Sequence, residues 1–241
     1  MRVLLFFALL LVATGAQAQE GFAVIELFTS QGCSSCPPAD RNLVTLLRDA
    51  KEKNIAVFGL SFHVDYWNYI GWRDPYSSKT YSERQRNYAK SIASQRVYTP
   101  QMIVNGSVEF VGSNTVKAGA AIQNALREKP KYRLSLKRKE MIGGSTLSVT
   151  YISNEEPHGE QLNIAVVERE VSNYVNNGEN HGRTLNHTNV VKAFETISFK
   201  KEGNFKIDLS QIDSKASVIM YVQDNQQEIV AAYEVLLGDN Q

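Results

Sequence analysis

The feature that most limits how this chain can fold is a pair of cysteines, three positions apart, between a buried strand and a helix. Residues 22–28 are apolar and β-prone except for Glu26, which indicates a buried strand. The motif Cys33-Ser34-Ser35-Cys36 follows, and after two prolines apolar residues recur at helical spacing from Leu43 to Ala50. Prolines are tolerated at a helix start because backbone N–H groups there lack partners anyway. The sequence therefore predicts that both cysteines lie at the N-terminus of the first helix.

The elements after this motif occur in an order that indicates the fold. A second buried strand ends near Phe62, and helices are predicted at about residues 78–95 and 115–129. Between these helices, Thr99-Pro100 leads into an extended segment and Asn105-Gly106, the strongest short-range signal for a β-hairpin. A thioredoxin fold has the same order of elements, with the dithiol at the first helix and a cis-proline entering the hairpin.

From about residue 131 the pattern changes to β-like runs separated by turn residues at intervals of about ten, which suggests an antiparallel sandwich. The runs include Tyr132/Leu134/Leu136, Leu147/Val149/Tyr151 and residues 162–167, 205–209, 218–222 and 229–235. We therefore expect an α/β thioredoxin-like domain over residues 19–130, followed by an all-β, sandwich-like C-terminal domain over residues 131–241.

The first eighteen residues have the three-part layout of a secretory signal peptide. Arg2 is the only charged side chain in this segment, residues 3–13 are almost wholly apolar, and Ala16-Gln17-Ala18 offers small residues for cleavage. A membrane anchor is the alternative, but the apolar run is too short for a bilayer core of about 30 Å. We therefore predict removal of residues 1–18, a periplasmic or secreted location, and no stable membrane span after cleavage.

The net charge and the number of cysteines exclude further classes of function. Without Arg2, the 26 Lys and Arg side chains fall to the 25 of Asp and Glu. A net charge near zero provides no broad basic field for nucleic acid or anionic lipid. Two cysteines are few for an exported protein stapled by disulfides, and a bridge across so small a loop removes little entropy from the unfolded chain. Reactivity therefore explains the pair better than stability, and no cofactor is predicted.

Cys33 is the predicted nucleophile. It leaves the first strand at a helix N-terminus, where unpaired N–H groups and the macrodipole favour a thiolate. Cys36 follows about one turn later and is placed to resolve a mixed disulfide by attacking Cys33. The hydroxyls of Ser34 and Ser35 are candidate donors to the thiolate. The alternatives are an inert bridge and an idle pair of buried thiols.

Pro100, Thr99 and Glu26 are the predicted supporting residues. A cis bond before Pro100 is usually a placed feature, and it would leave the Thr99 backbone free to pair with an extended substrate. An ordinary trans-proline at the start of an edge strand is the alternative. Glu26, on the first strand, is a candidate proton acceptor for Cys36, and a carboxylate pointing to solvent is the alternative.

The aromatic stretch over residues 63–75 contains both tryptophans of the chain. It begins at the C-terminal end of the second strand, where open α/β sheets place their sites. Tyr66, Trp67 and Trp72 are candidates for a substrate groove, and His63 for tuning the thiolate; simple packing is the alternative for all four. His181 and His187, farther along, are interpreted as residues of a polar loop.

Four segments carry a closer resemblance: residues 26–40, residues 63–75, Arg84-Gln85 and residues 97–101. Together they resemble an exported bacterial family of thioredoxin-like proteins labelled a domain of unknown function. The resemblance implies a thioredoxin-like fold and a Gram-negative envelope setting, without a substrate. More distantly, the site is similar to periplasmic disulfide oxidases and isomerases. The Ser-Ser dipeptide, the Pro-Pro sequence and the all-β partner domain differ from them and leave the direction of electron flow open.

Two principal hypotheses follow. The first is an exported thiol–disulfide oxidoreductase that acts on exported protein thiols or on a redox partner protein. The second is a copper-binding metallochaperone with Cys33, Cys36 and His63 as ligands, because soft thiolates suit Cu(I). A third possibility is that the C-terminal domain is the functional part and binds a partner.

Overall fold

The computed structural model describes residues 21–93, 95–210, 212 and 216–237. The predicted signal peptide, residues 1–18, lies outside the described residues. None of the described helices is both long enough and apolar enough to cross a membrane.

The described residues form three α-helices and thirteen strands. In chain order these are β1 (Ala23–Thr29), α1 (Pro37–Glu52), β2 (Val57–His63), α2 (Lys79–Ser91), β3 (Gln101–Val104), β4 (Val108–Val111), α3 (Thr115–Ala125), β5 (Leu134–Ile142), β6 (Thr146–Ser153), β7 (Gln161–Glu168), β8 (Val171–Tyr174), β9 (Thr184–His187), β10 (Val190–Ser198), β11 (Glu202–Asp208), β12 (Ser217–Gln223) and β13 (Ile229–Leu236). A short 3-10 helix, Asn68–Ile70, lies between β2 and α2.

The central sheet has eight strands in the order β13-β12-β7-β10-β2-β1-β3-β4. β1 runs parallel to β2 and antiparallel to β3, and β10 joins β2 in parallel at Val190 and Ser61. Two further antiparallel sheets consist of β11-β6-β5 and of the β8–β9 hairpin. The predicted α/β character of the chain is confirmed, and every described element from β5 onward is a strand.

β1 positions the site because both of its faces are buried. Ile25 and Leu27 pack in the cluster that includes Leu43 of α1, whereas Phe28, on the other face, packs with Tyr88 of α2. The alternation of side chains along a strand therefore assigns α1 to one face of the sheet and α2 to the other.

α1 and α2 begin differently. Cys36 is the N-cap of α1 and proline follows it, as expected where N–H groups have no helical partner. The Ser78 side chain caps α2 by accepting from the Thr80 N–H. α2 ends at Ser91, before the predicted end at residue 95, because Ile92 takes an extended backbone conformation.

The predicted domain boundary near residue 130 falls between α3 and β5. Strands from both sides of it share the central sheet, and Phe62 packs in one cluster with Ala165, Ile219 and Tyr221. A separate cluster, which includes Val149, lies between the three-stranded sheet and the outer strands of the central sheet. The division into two domains stays a prediction.

Candidate functional site

Cys33 and Cys36 form a disulfide where the chain enters α1, with their Cα atoms 5.5 Å apart. Cys33 is 1% exposed and Cys36 is fully buried, although Ser34 and Ser35 between them are exposed. The Ser35 Oγ lies 3.3 Å from the Cys33 Sγ, so this hydroxyl is placed as the predicted donor. The disulfide is therefore buried, although the two serines between its cysteines are exposed.

Pro100 lies at the same end of the sheet. The Thr99–Pro100 peptide bond is cis, the geometry expected at this position. Phe28 of β1 pairs with Gln101 of β3. Pro100 therefore lies next to the C-terminal end of β1, from which the chain continues to the cysteines. The Thr99 hydroxyl accepts a hydrogen bond of 2.7 Å from the Trp67 Nε1–H.

The aromatic stretch packs against the segment that precedes Cys33. A Cβ on Gly32 would lie 3.2 Å from the Trp67 Cβ, which is tighter than an ordinary van der Waals contact. Trp72 donates from Nε1 to the Gln31 Oε1 at 3.2 Å, whereas Tyr66 donates to Gln85 of α2 at 3.1 Å. Both tryptophans therefore support the motif through contacts of their own, and the exposed aromatic of this stretch is Tyr69.

Glu26 has partners other than those the sequence suggested. It is fully buried and not directed to solvent, and its Oε1 accepts from Arg84 of α2 at 2.9 Å and from Tyr221 at 2.5 Å. Since β1 presents Glu26 to the α2 face and Cys36 begins α1 on the opposite face, this carboxylate is not a proton acceptor for Cys36 in this arrangement.

His63, at the end of β2, lies on the α1 face and is fully buried. Its Nδ1 is 2.7 Å from the Asp74 Oδ2, which also accepts from the Gln31 N–H at 2.8 Å. Burial by itself lowers the pKa of His63, but the Asp74 carboxylate outweighs burial and raises it. Burial by itself raises the pKa of Asp74, but His63 outweighs burial and lowers it. The two side chains therefore form a buried ion pair when His63 is protonated.

His187 is a site residue that sequence reasoning missed. The polar-loop interpretation is wrong for it, because it lies in β9, is 3% exposed, and has its ring centroid 4.7 Å from that of His63. Its Nδ1 lies 3.5 Å from the Oδ2 of Asp40, a buried residue of α1 whose Oδ1 accepts from Thr29. His181, in contrast, is exposed.

The Gln31 side chain determines which nitrogen of His187 carries a proton. The Gln31 Oε1 accepts from Trp72 and from Asn173, so its amide nitrogen faces the His187 Nε2 at 3.4 Å. The Gln31 amide nitrogen is a donor, so the His187 Nε2 must accept this hydrogen bond. The imidazole proton therefore lies on Nδ1, toward Asp40.

The β8–β9 hairpin also supplies two residues that contact the motif directly. The Asn180 Nδ2 donates to the carbonyl oxygens of Gln31 and Cys33, each at 2.9 Å. The Glu179 carboxylate accepts from the Ser34 N–H at 2.9 Å, and its bonds to Ser34 lower the pKa of Glu179. Asn180 lies 147 residues after Cys33, and no motif or spacing in the sequence links them.

The three proposed copper ligands are not assembled as a ligand set. Both sulfurs are bonded to each other, and the His63 Nδ1 is bonded to Asp74. Throughout the part of the chain that the structure describes, no group of three or more His, Cys, Asp or Glu side chains is arranged to hold a metal ion. The copper hypothesis stays a prediction without a contact that favours it.

Comparisons with known proteins identify one family whose model matches most of the chain. A family model described as "Protein of unknown function (DUF1223)" matches residues 24–223. No curated protein matches the sequence. The fold is similar to the crystal structure of protein AGR_C_4864 from Agrobacterium tumefaciens, with 29% identity and a TM-score of 0.68 over 93% of this chain and 98% of that chain. It is also similar to HBP35 of Porphyromonas gingivalis, with 15% identity and a TM-score of 0.64 over 91% of this chain and 76% of that chain. The second likeness is one of fold alone.

Proposed function

Because the chain belongs to the DUF1223 family, whose function is unknown, its activity must be argued from the site, and we propose that it is an exported thiol–disulfide oxidoreductase. Cys33 attacks, Cys36 resolves, and the segment at Pro100 positions the substrate. The substrates are thiols or disulfides of exported proteins, or a redox partner protein.

The observation that carries this proposal is the Cys33–Cys36 disulfide at the N-terminus of α1. A bridge between residues three positions apart closes too small a loop to stabilise the fold much. The helix N-terminus, in contrast, is where a thiolate is stabilised by the macrodipole and by unpaired N–H groups. The position therefore suits a disulfide that opens and closes.

We further propose that the domain expected over residues 19–130 is thioredoxin-like. Three features support this proposal. β1 and β2 precede and follow α1 in the chain and pair in parallel, and the antiparallel β3–β4 hairpin pairs with β1. The cis-proline lies at the start of this hairpin, beside the motif. Together these features position an extended substrate strand next to the sulfurs.

The reaction transfers two electrons between two pairs of sulfur atoms. In the reducing direction, the Cys33 thiolate attacks a substrate disulfide, forms a mixed disulfide and expels one substrate thiolate, which takes up a proton. Cys36 loses its proton and attacks the Cys33 sulfur, closing the protein disulfide and expelling the second substrate thiolate. The reverse sequence oxidises a substrate dithiol. No atom or electron is needed beyond those of the two sulfur pairs.

The direct test is equilibration of the protein with glutathione redox buffers, followed by thiol trapping. We expect the Cys33–Cys36 pair to exchange, with a potential between about −120 mV, as in strong oxidants, and about −270 mV, as in thioredoxin. Cys36→Ser should accumulate a mixed disulfide at Cys33, and Cys33→Ser, its matched control, should not. A pair that stays closed across this whole range of potentials contradicts the proposal.

Export is tested separately by expressing the full chain in a Gram-negative host. We expect the protein in the periplasmic fraction or the medium, with Gln19 as its first residue, because the sequence before it has the layout of a cleaved signal. An intact N-terminus on protein retained in the cytoplasm contradicts export.

A further inference from the structure

The C-terminal half of the chain reaches over the candidate site through the β8–β9 hairpin, residues 171–187. The turn at its tip, residues 175–183, carries Glu179 and Asn180. Within it, Gly178 packs against the aromatic stretch, where an added Cβ would lie 3.1 Å from Ile70 and 3.2 Å from Trp72. The hairpin therefore contacts the aromatic stretch as well as the motif.

Asn180 is the residue that attaches the turn to the motif. It is fully buried, and its Nδ2 bonds the backbone oxygens on both sides of Gly32. The Arg183 Nη1 donates to the Asn180 Oδ1 at 3.1 Å, which orients the amide so that its nitrogen faces the motif. Both hydrogen bonds must break before the turn can leave.

Glu179 adds a negative charge at the point where a thiolate would be stabilised. Its carboxylate accepts the Ser34 N–H, which belongs to the residue immediately after Cys33. An N–H bonded to a carboxylate is not available to a thiolate, and a like charge nearby disfavours thiolate formation. The turn in this position therefore opposes ionisation of Cys33.

The Cys33 sulfur is buried in the arrangement in which the turn is bonded to the motif. Cys33 is 1% exposed, so a folded protein carrying a disulfide cannot place a sulfur in line with its Sγ in this arrangement. Thiol–disulfide exchange proceeds by direct attack on a sulfur atom and requires such an approach.

We propose that Glu179 and Asn180 determine which molecules react with Cys33: the turn excludes protein substrates until it opens, and Glu179 keeps Cys33 protonated while the turn is closed. The inference rests on the proposed oxidoreductase function. It gives the C-terminal half a role in that function, as the source of the element that controls the nucleophile.

The first test measures access to Cys33 in a Cys36→Ser background, where Cys33 is the single cysteine. Reduced protein is treated with iodoacetamide and with a bulky polyethylene-glycol maleimide. Asn180→Ala should increase the rate with the bulky reagent by about tenfold, because two hydrogen bonds to the motif are lost. Asn177→Ala, in an exposed position of the same turn, is the matched control and should leave the rate unchanged.

The second test measures ionisation of Cys33 from the pH profile of iodoacetamide alkylation. Glu179→Gln should lower the pKa of the Cys33 thiol, by up to about one unit, because the competing charge is removed. Glu155→Gln removes an exposed carboxylate from the β6–β7 connection and should not move the profile. An unshifted profile in Glu179→Gln would contradict this part of the inference.

Hydrogen exchange of the wild-type protein provides a test that needs no variant. The amides of residues 175–183 and the Ser34 N–H should exchange through a local opening, with less protection than those of β1 and β2. Protection of the turn equal to that of β1 overturns the inference.

The outcomes separate this inference from the proposed function. If wild-type protein exchanges with glutathione and Asn180→Ala alkylates at the wild-type rate, the turn does not control Cys33 and the oxidoreductase proposal stands. If neither protein exchanges with glutathione, the oxidoreductase proposal itself fails.

Discussion

Two buried clusters of charged side chains lie on opposite faces of the central sheet, and they differ in whether their charge can be lost. On the α2 face, Glu26 is bonded to Arg84 and Tyr221. On the α1 face, beneath the helix that carries the disulfide, His63 is bonded to Asp74, and His187 lies beside Asp40.

The cation of the α2-face cluster, Arg84, keeps its charge. Burial by itself lowers the pKa of Arg84, but Glu26 outweighs burial and raises it further above its already high range, so the guanidinium stays protonated. Aromatic rings surround it, with its Cζ 4.9 Å from the Phe194 centroid and 5.0 Å from that of Tyr88. Arg84, Glu26 and Tyr221 join α2, β1 and β12, so the cluster ties the two halves of the chain together.

In the α1-face cluster, the group that can release its proton is His63, whose pKa is raised by the Asp74 carboxylate. A buried carboxylate that is close to a dithiol motif in sequence therefore need not take part in the chemistry of that motif. Glu26 is held by a cation that cannot release a proton, whereas the titratable groups lie on the face that carries the disulfide.

The largest expected effect comes from removing the permanent charge. Arg84→Met should lower the free energy of unfolding by about 3–5 kcal/mol, because it leaves the Glu26 carboxylate buried without its cation. Urea denaturation measures the loss. Lys79→Met is the matched control on the same helix: its pair with Glu83 is exposed, and its loss should stay below about 1 kcal/mol. Equal losses in the two variants would remove the distinction between a structural and a surface pair.

A smaller effect is expected from the titratable cluster. His63→Gln should cost about 2 kcal/mol, because the amide still donates to Asp74 but the charge of the ion pair is lost. Chemical denaturation near pH 6 measures it, with the exposed His181→Gln as a control that should match wild type. A loss as large as that of Arg84→Met would mean that the two clusters contribute equally to the free energy of unfolding.

The pH dependence of stability sharpens the same comparison. Since the folded protein raises the pKa of His63, its contribution is present below about pH 6.5 and is lost as pH rises through the folded value. Since the fold lowers the pKa of Asp74, its contribution is present above about pH 4 and is lost as pH falls. Wild-type stability should therefore decline as the pH rises above about 6.5, and His63→Gln should abolish this part of the decline. An unchanged decline in the variant would assign it to another group.

The smallest effect is expected at His187. Its Nδ1 is 3.5 Å from Asp40 and makes no hydrogen bond, so His187→Gln should cost about 1 kcal/mol or less. Denaturation in parallel with His63→Gln gives the ranking of the two histidines. A larger loss for His187→Gln than for His63→Gln would show that the contact with Asp40 is the stronger of the two pairs.

Local features of the site could be predicted from the sequence. The strand before the motif, the helix start at Cys36 and the cis bond before Pro100 depend on short stretches of chain. Turn chemistry, helix-start preferences and period-two alternation act over a few residues, so one sequence suffices to read them.

The partners of the site could not be predicted in the same way. Alternation along β1 places Glu26 on the face of Phe28, but only the packing of α1 and α2 decides which face meets the cysteines. His187, Glu179 and Asn180 reach the motif through a hairpin roughly 150 residues later in the chain, whose strands alternate in burial like those of any solvent-facing hairpin.

The sequence by itself determined where the sulfurs lie and that they are close enough to bond, because both are matters of local geometry. Only the tertiary structure decided that Cys33 is covered, that Glu26 belongs to Arg84, and that two histidines from distant strands meet under α1. The physical reason is that burial and charge pairing depend on which surfaces pack together, and that choice is made by the whole chain at once.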